Sequence, residues 1–173
     1  MKTTLKLVFV IAFVALCSNV SAQNIKLAHI NITELIFAMP EYNDAMEKMQ
    51  KFVQGLEDEM ELLQVEYNRK FDDYVRNRDN LSDIVRAVRE DELNSIRQRI
   101  EIFQQQAQEN MQQEQTKLIQ PVFEKATKAV ETVSIEQGLT WVFNSADPQF
   151  ILFKAADTLD LLPAVKQHLG IRD

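Results

Sequence analysis

The chain has 173 residues, with 19 basic and 26 acidic side chains, a net charge of −7, one cysteine and three glycines. An acidic balance with no basic stripe interleaved with aromatics excludes nucleic acid as a ligand. Three glycines are too few for a glycine-rich phosphate loop.

The first 22 residues read as a secretory signal peptide. Lys2 and Lys6 form a positive start, Leu7 to Leu16 a short apolar run, and Val20-Ser21-Ala22 a small-residue cleavage site before Gln23. The run is short for crossing a bilayer, which sets the cleaved reading above an uncleaved anchor. Cys17 lies inside this segment. Lipid attachment there is the competing idea, against which stands the bulky Leu16 just before it. Cleavage leaves no cysteine, hence no disulfide. Without Lys2 and Lys6 the mature chain, Gln23–Asp173, carries a net charge of −9.

Ile25 to Ile32 is β-branched and apolar and predicts a strand. Asn31 with Glu34 three residues on forms a capping box for a short helix, Ile32 to Met39, and Pro40 suits the first turn of the next helix. His29 sits in the strand as a packed or edge residue. With His168 far away in sequence, it has none of the spacing of a metal site.

Tyr42 to Val133 predicts one long helix that goes out, turns near Asn77–Asp83 and returns. On the outgoing leg Met49, Phe52, Leu56, Met60, Leu63, Tyr67, Phe71 and Tyr74 follow at steps of 3 or 4, a helical stripe. Both legs repeat at eleven. Met49, Met60 and Phe71 form one row, Val85, Ile96, Ala107 and Leu118 another, and Ile100, Met111, Val122 and Val133 a third. This period keeps the stripe straight or drifting to the right. Each helix thus has one apolar face, and the other leg covers it. About 35 residues per leg give an arm of about 50 Å.

Gly55 interrupts the outgoing leg, either as a tolerated defect or as a soft point where the arm bends. Ser82 or Asn80 caps the returning leg. Gln104, Gln105, Gln106, Gln108, Gln112, Gln113 and Gln115 make one stretch of it polar without charge. Pro121 removes a backbone donor, kinks the helix and marks the junction of arm and base. Gly138 ends it. Leu139 to Asn144 and Phe150 to Lys154 then predict two strands of a hairpin around Ser145–Pro148, and Pro163 and Gly170 bracket a last short helix, Pro163 to Leu169. The expected fold is mainly α with a small β body. Residues 42–120 form the arm, and residues 23–41 and 121–173 the base. A base with three strands leaves edges open and is expected to associate with copies of itself. Leu27, Ile30, Trp141, Phe143, Ile151 and Phe153 are the candidates for that contact.

No nucleophile–base pair or metal-ligand cluster is present, and Glu57, Asp58, Glu59 and Glu61 read as a solvated helix face. The chain is read as a non-enzyme without cofactor. The tip is the one basic region: Arg69, Lys70, Arg76, Arg78, Arg86 and Arg89 outnumber Asp72, Asp73, Asp79 and Asp83. It is either a solvated tip or a contact for anionic lipid or an acidic client.

The order of a signal peptide, the strand Lys26–Asn31, Met39-Pro40-Glu41-Tyr42, the long hairpin, Gly138, Leu139–Asn144, Phe150–Lys154 and a terminal helix resembles the Skp/OmpH family of periplasmic chaperones. The resemblance covers nearly all of the mature chain and is carried by order and spacing. It implies a homotrimer with a small β-barrel-like body and three helical arms. It further implies a periplasmic cavity that holds unfolded outer-membrane β-barrel proteins without ATP. The best-known members are strongly basic, whereas this chain is acidic, and Asp160-Leu161 is followed by Leu162-Pro163 where the family often has a threonine. On this reading Met46, Met49, Met60 and Met111, with Val53, Leu62, Val65 and Ile102 off the main stripe, contact the client through adaptable apolar side chains. Met49, Met60 and Met111, taken singly, suit the hairpin seam better than client contact. The rival function is an envelope spacer or coiled-coil adaptor that holds a folded partner at the tip.

Overall fold

The computed structural model describes residues 25–147, 151 and 153–172. The expected signal peptide with Cys17, and Pro148, Phe150 and Leu152 of the expected hairpin, lie outside the described residues. The elements are β1 (Leu27–Ile30), α1 (Ile32–Ala38), α2 (Pro40–Asn77), a 3-10 turn (Arg78–Asn80), α3 (Asp83–Glu136), β2 (Trp141–Asn144), β3 (Leu159–Asp160) and α4 (Leu162–His168).

Local chemistry sets these boundaries. Asn31 caps α1: its Oδ1 accepts the Glu34 N–H at 3.1 Å, while its side-chain amide donates to the Glu34 carboxylate at 3.5 Å. Met39 is extended, as a residue before proline must be, and Pro40 opens α2. Ser82 caps α3, its Oγ accepting the Val85 N–H at 3.4 Å. Gly138 (φ +64°) and Gly170 (φ +71°) follow α3 and α4 in the left-handed region. At each, two reverse bonds close the helix end: Leu139 N–H to Ser134 O and Gly138 N–H to Ile135 O, then Ile171 N–H to Lys166 O and Gly170 N–H to Gln167 O.

α2 has 38 residues and α3 has 54, or about 57 Å and 81 Å at about 1.5 Å per residue. They lie side by side and antiparallel. Going out along α2, Glu41 meets Lys125, Glu66 meets Arg99, Tyr67 meets Arg97, Lys70 meets Glu92 and Tyr74 meets Glu90. Leu93 and Ile96 are buried toward the far end. Between Met46 and Met60 on α2, and between Ile100 and Leu118 on α3, nothing is fully buried. The expected stripe residues Met49, Phe52, Leu56, Met60, Leu63, Tyr67 and Tyr74 are half-buried, whereas Phe71 and Val85 are exposed. A pair of helices covers only a narrow seam and leaves its flanks in water.

Gly55 faces that water, with nothing within 4 Å of an added Cβ. Gly55→Ala is therefore expected to stabilise the chain by about 0.4–1 kcal/mol through lost unfolded-state freedom. A thermal midpoint followed by circular dichroism, unchanged or lowered, would contradict this. Pro121 lies inside α3, which runs on to Glu136.

The sheet departs from expectation. Its order is β2-β1-β3 and both pairings are parallel. Among the described residues there is no antiparallel pairing: Ile151, Phe153 and Lys154 carry no strand, and the third strand is the two-residue β3 further on. β1 supplies both partners. Thr140 N–H reaches Lys26 O, Ser145 N–H reaches Ile30 O and Leu161 N–H reaches His29 O, each at 2.8 Å. β2 and β3 hold the two edges of β1, and Ile151, Phe153 and Lys154 lie outside the sheet. Ala28 and Ile30 of β1, Leu35 of α1, Met39, Ala126 of α3 and Val165 of α4 meet in one core. Ala126 and Ala129 are small, which brings α3 close to the sheet and α1.

Candidate functional site

Three surfaces carry the candidate residues. The first is the arm. Met46, Leu62, Val65 and Ile102 are 44%, 64%, 55% and 47% exposed after the two helices have paired. Met49, Val53, Met60 and Met111 are half-buried at the seam's margin. Met46, Met49 and Val53, at steps of 3 and 4, share one helix face. With Asn43, Glu47 and Gln50 they line a shallow groove of about 740 Å³. Leu62 and Val65 point elsewhere, on a stripe that continues to Arg69. The predicted contacts thus form separated patches rather than one site. Val75, Ile84 and Val88 near the tip, and Phe37 and Phe123 near the base, are also exposed. Ile84 and Val88, four apart and outside the eleven-residue rows, were the available signal for the tip patch.

The second surface is the tip. Arg69, Lys70, Arg76 and Arg89 surround a cavity of about 330 Å³ together with Asp73, Glu92 and Leu93. Arg78 lies apart on the 3-10 turn, and Arg86 lies 3.6 Å from Asp83. The cluster is partly neutralised. Glu92 accepts from Lys70 and from Arg89, and these two bonds, Lys70 first, hold its carboxyl below the usual value of 4.5. At the arm's root the Lys125 bond lowers Glu41 in the same way.

A pH dependence follows from these two carboxyls. Their folded values are lowered, so their contribution is complete above the unfolded value of 4.5 and is lost as pH falls through the folded values. The thermal midpoint is expected to fall as the pH is taken below about 4.5. The double variant Glu41→Gln, Glu92→Gln is expected to flatten that fall. A variant as acid-sensitive as the parent would exclude these two groups as its cause.

The third surface is the outer face of the sheet. The register pairs Leu27 with Trp141 and His29 with Phe143, so these side chains share one face while Ala28 and Ile30 take the other. Ile30, expected at an interface, is 3% exposed and packed in the chain's own core. Leu27, Trp141, Phe143 and Phe153 are 48%, 63%, 46% and 84% exposed, and Ile151 is half-buried beside them. His29 is the one buried polar side chain among the described residues. Its Nδ1 lies 3.4 Å from Ser145 Oγ, and its Nε2 lies 3.2 Å from Lys154 Nζ.

Among the described residues no group of three or more His, Cys, Asp or Glu side chains is placed to hold a metal ion. No described helix is long and apolar enough to cross a membrane. The sequence profile of the family described as outer membrane protein (OmpH-like) matches residues 26–169. No curated protein matches the chain.

Proposed function

The chain belongs to the OmpH-like family, at family level one of periplasmic chaperones of outer-membrane proteins, and from that premise we propose that it is an ATP-independent holdase. Unfolded β-barrel chains expose alternating apolar side chains that aggregate in water. Weak contacts spread along the arms shield them until membrane insertion removes them, so release needs no energy source.

One observation carries this reading: Met46, Leu62, Val65 and Ile102 stay exposed after the helices have paired. A spacer that grips a folded partner at its tip has no use for apolar side chains along its length. In this reading residues 42–120 are the arm. Residues 23–41 and 121–173 are the base, which assembles as a trimer through Leu27, Trp141, Phe143 and Phe153. The cations around the tip cavity support transient contact with an anionic membrane surface.

The test uses the mature chain, residues 23–173. A urea-unfolded outer-membrane β-barrel protein is diluted into nucleotide-free buffer with and without it, and light scattering is followed with the mass of soluble complexes. Suppressed scattering and three copies per client are expected. Unchanged scattering from folded, trimeric protein would overturn the holdase reading for that client class and favour the spacer.

A further inference from the structure

We propose that the middle of the arm selects unfolded segments in which apolar side chains are interspersed with Lys or Arg. This rests on the holdase reading and names the client chemistry it prefers. Leu62 and Val65, 64% and 55% exposed, share one face of α2, away from Leu63 and Tyr67 in the seam. Helix spacing fixes their neighbours. Asp58, Glu59 and Glu66 lie three or four residues from Leu62, and Glu61 lies four from Val65. Arg69, one turn beyond Val65, is the first cation on this stripe and ends it. An apolar segment seated on Leu62 and Val65 thus comes within reach of four carboxylates.

The surroundings add to this charge. Residues 52–68 hold five carboxylates and residues 100–116 hold three, with no Lys or Arg in either stretch. The pairing that sets Glu41 against Lys125 and Glu66 against Arg99 lays the two stretches side by side. Arg99 takes Glu66 and Lys117 takes Glu114. Glu57, Asp58, Glu59 and Glu61 are exposed and make no ion pair among the described residues. Charge complementarity therefore decides the occupant. A client Lys or Arg lays its apolar stem beside Leu62 or Val65 and carries its charge out to the carboxylates. A second copy docking by the same patch would bring like charges together, and an anionic lipid surface would be repelled. Each ion pair is exposed and weak, so the preference comes from several at once. Salt screens it, the Debye length falling from about 10 Å at 0.1 M to about 3 Å at 1 M.

The experiment measures, by fluorescence anisotropy, the binding of three unfolded peptides to the assembled mature protein. They share the same apolar residues and differ at the positions between, which carry Gln alone, Gln with several Lys, or Gln with several Glu. At about 0.1 M salt the Lys peptide is expected to bind about tenfold more tightly than the Glu peptide, with the Gln peptide between them, and at about 1 M salt the three are expected to converge. The variant Glu57→Gln, Asp58→Asn, Glu59→Gln, Glu61→Gln is expected to remove most of the difference. The variant Asp44→Asn, Glu131→Gln, Glu136→Gln, Asp157→Asn, of the same total charge, is expected to keep it. All these positions are exposed, and helix content and particle mass check both variants. Leu62→Ser with Val65→Ser is expected to weaken all three peptides at unchanged particle mass. A Lys peptide that binds no better than the Glu peptide, or a preference reduced equally by both charge variants, would overturn the proposal and leave the holdase reading standing. A fall in particle mass in Leu62→Ser, Val65→Ser would overturn it by assigning the patch to a second copy. Binding of none of the peptides would overturn the holdase reading and this inference together.

Discussion

Leu35→Ala is expected to cost about 2–5 kcal/mol, the range for removing a large aliphatic side chain from a rigid core. Leu35 is 0% exposed at the middle of α1, the short helix that contacts α2, α3 and α4. Removing its isobutyl group leaves a hole that none of these elements can close without moving, because each is fixed elsewhere: α2 by its pairing with α3 at Glu41 and Lys125, α4 by the buried Leu161, and α3 by the buried Ala126. Domains of this size have about 5–15 kcal/mol in total, so the loss is a large part of the margin. Phe37→Ala, two residues on and 57% exposed, is the internal control and is expected to cost far less. Urea midpoints measure both. Equal shifts would show that α1 does not face the core with Leu35.

Trp141→Asp combined with Phe143→Asp is expected to weaken self-association roughly a hundredfold or more, since unpaired charges in an apolar contact cost several kcal/mol each. Both side chains stand on the outer sheet face, at 63% and 46% exposure, so a single chain pays little for the change. Helix content by circular dichroism is therefore expected to persist while the particle mass falls to that of one chain. Thr140→Asp, on the same segment but outside the strand, is the control for added charge. A double variant that keeps the oligomeric mass would remove the outer sheet face from the interface.

The helices were legible because their signals are local and repeated. The eleven-residue rows give both long helices, the Asn31–Glu34 pair gives the start of α1, and Gly138 and Gly170 give two ends at the positions where φ is positive. The sheet was not legible in the same way. Phe150–Lys154 has the composition of a strand, but composition alone does not place a segment in a sheet, and the sheet forms on the two edges of β1. Those edges go to β2 and to Leu159–Asp160, a segment too short to show any periodicity. What selects Leu159–Asp160 is tertiary: Leu161 beside it is fully buried and hands its N–H to His29. The arm candidates divide for a related reason. Helical period tells which residues share a face, but Met46 and Met60 differ in exposure only because of where the second helix crosses. The meeting of His29 with Lys154 had no linear signature, since the two are 125 positions apart.

The placement of β1 between β2 and β3 also fixes an order of events in time. β1 finds its partners more than a hundred residues later, at Trp141–Asn144 and Leu159–Asp160. A chain delivered N-terminus first cannot complete its base until nearly its last segment has arrived. Joining such distant ends directly carries a large loop-closure cost. The long helices lower that cost, since zipping α2 onto α3 draws Glu41 to Lys125 and brings the two ends of the chain within reach. The arm is thus a folding aid to its own base, and a chain released early stays without a sheet.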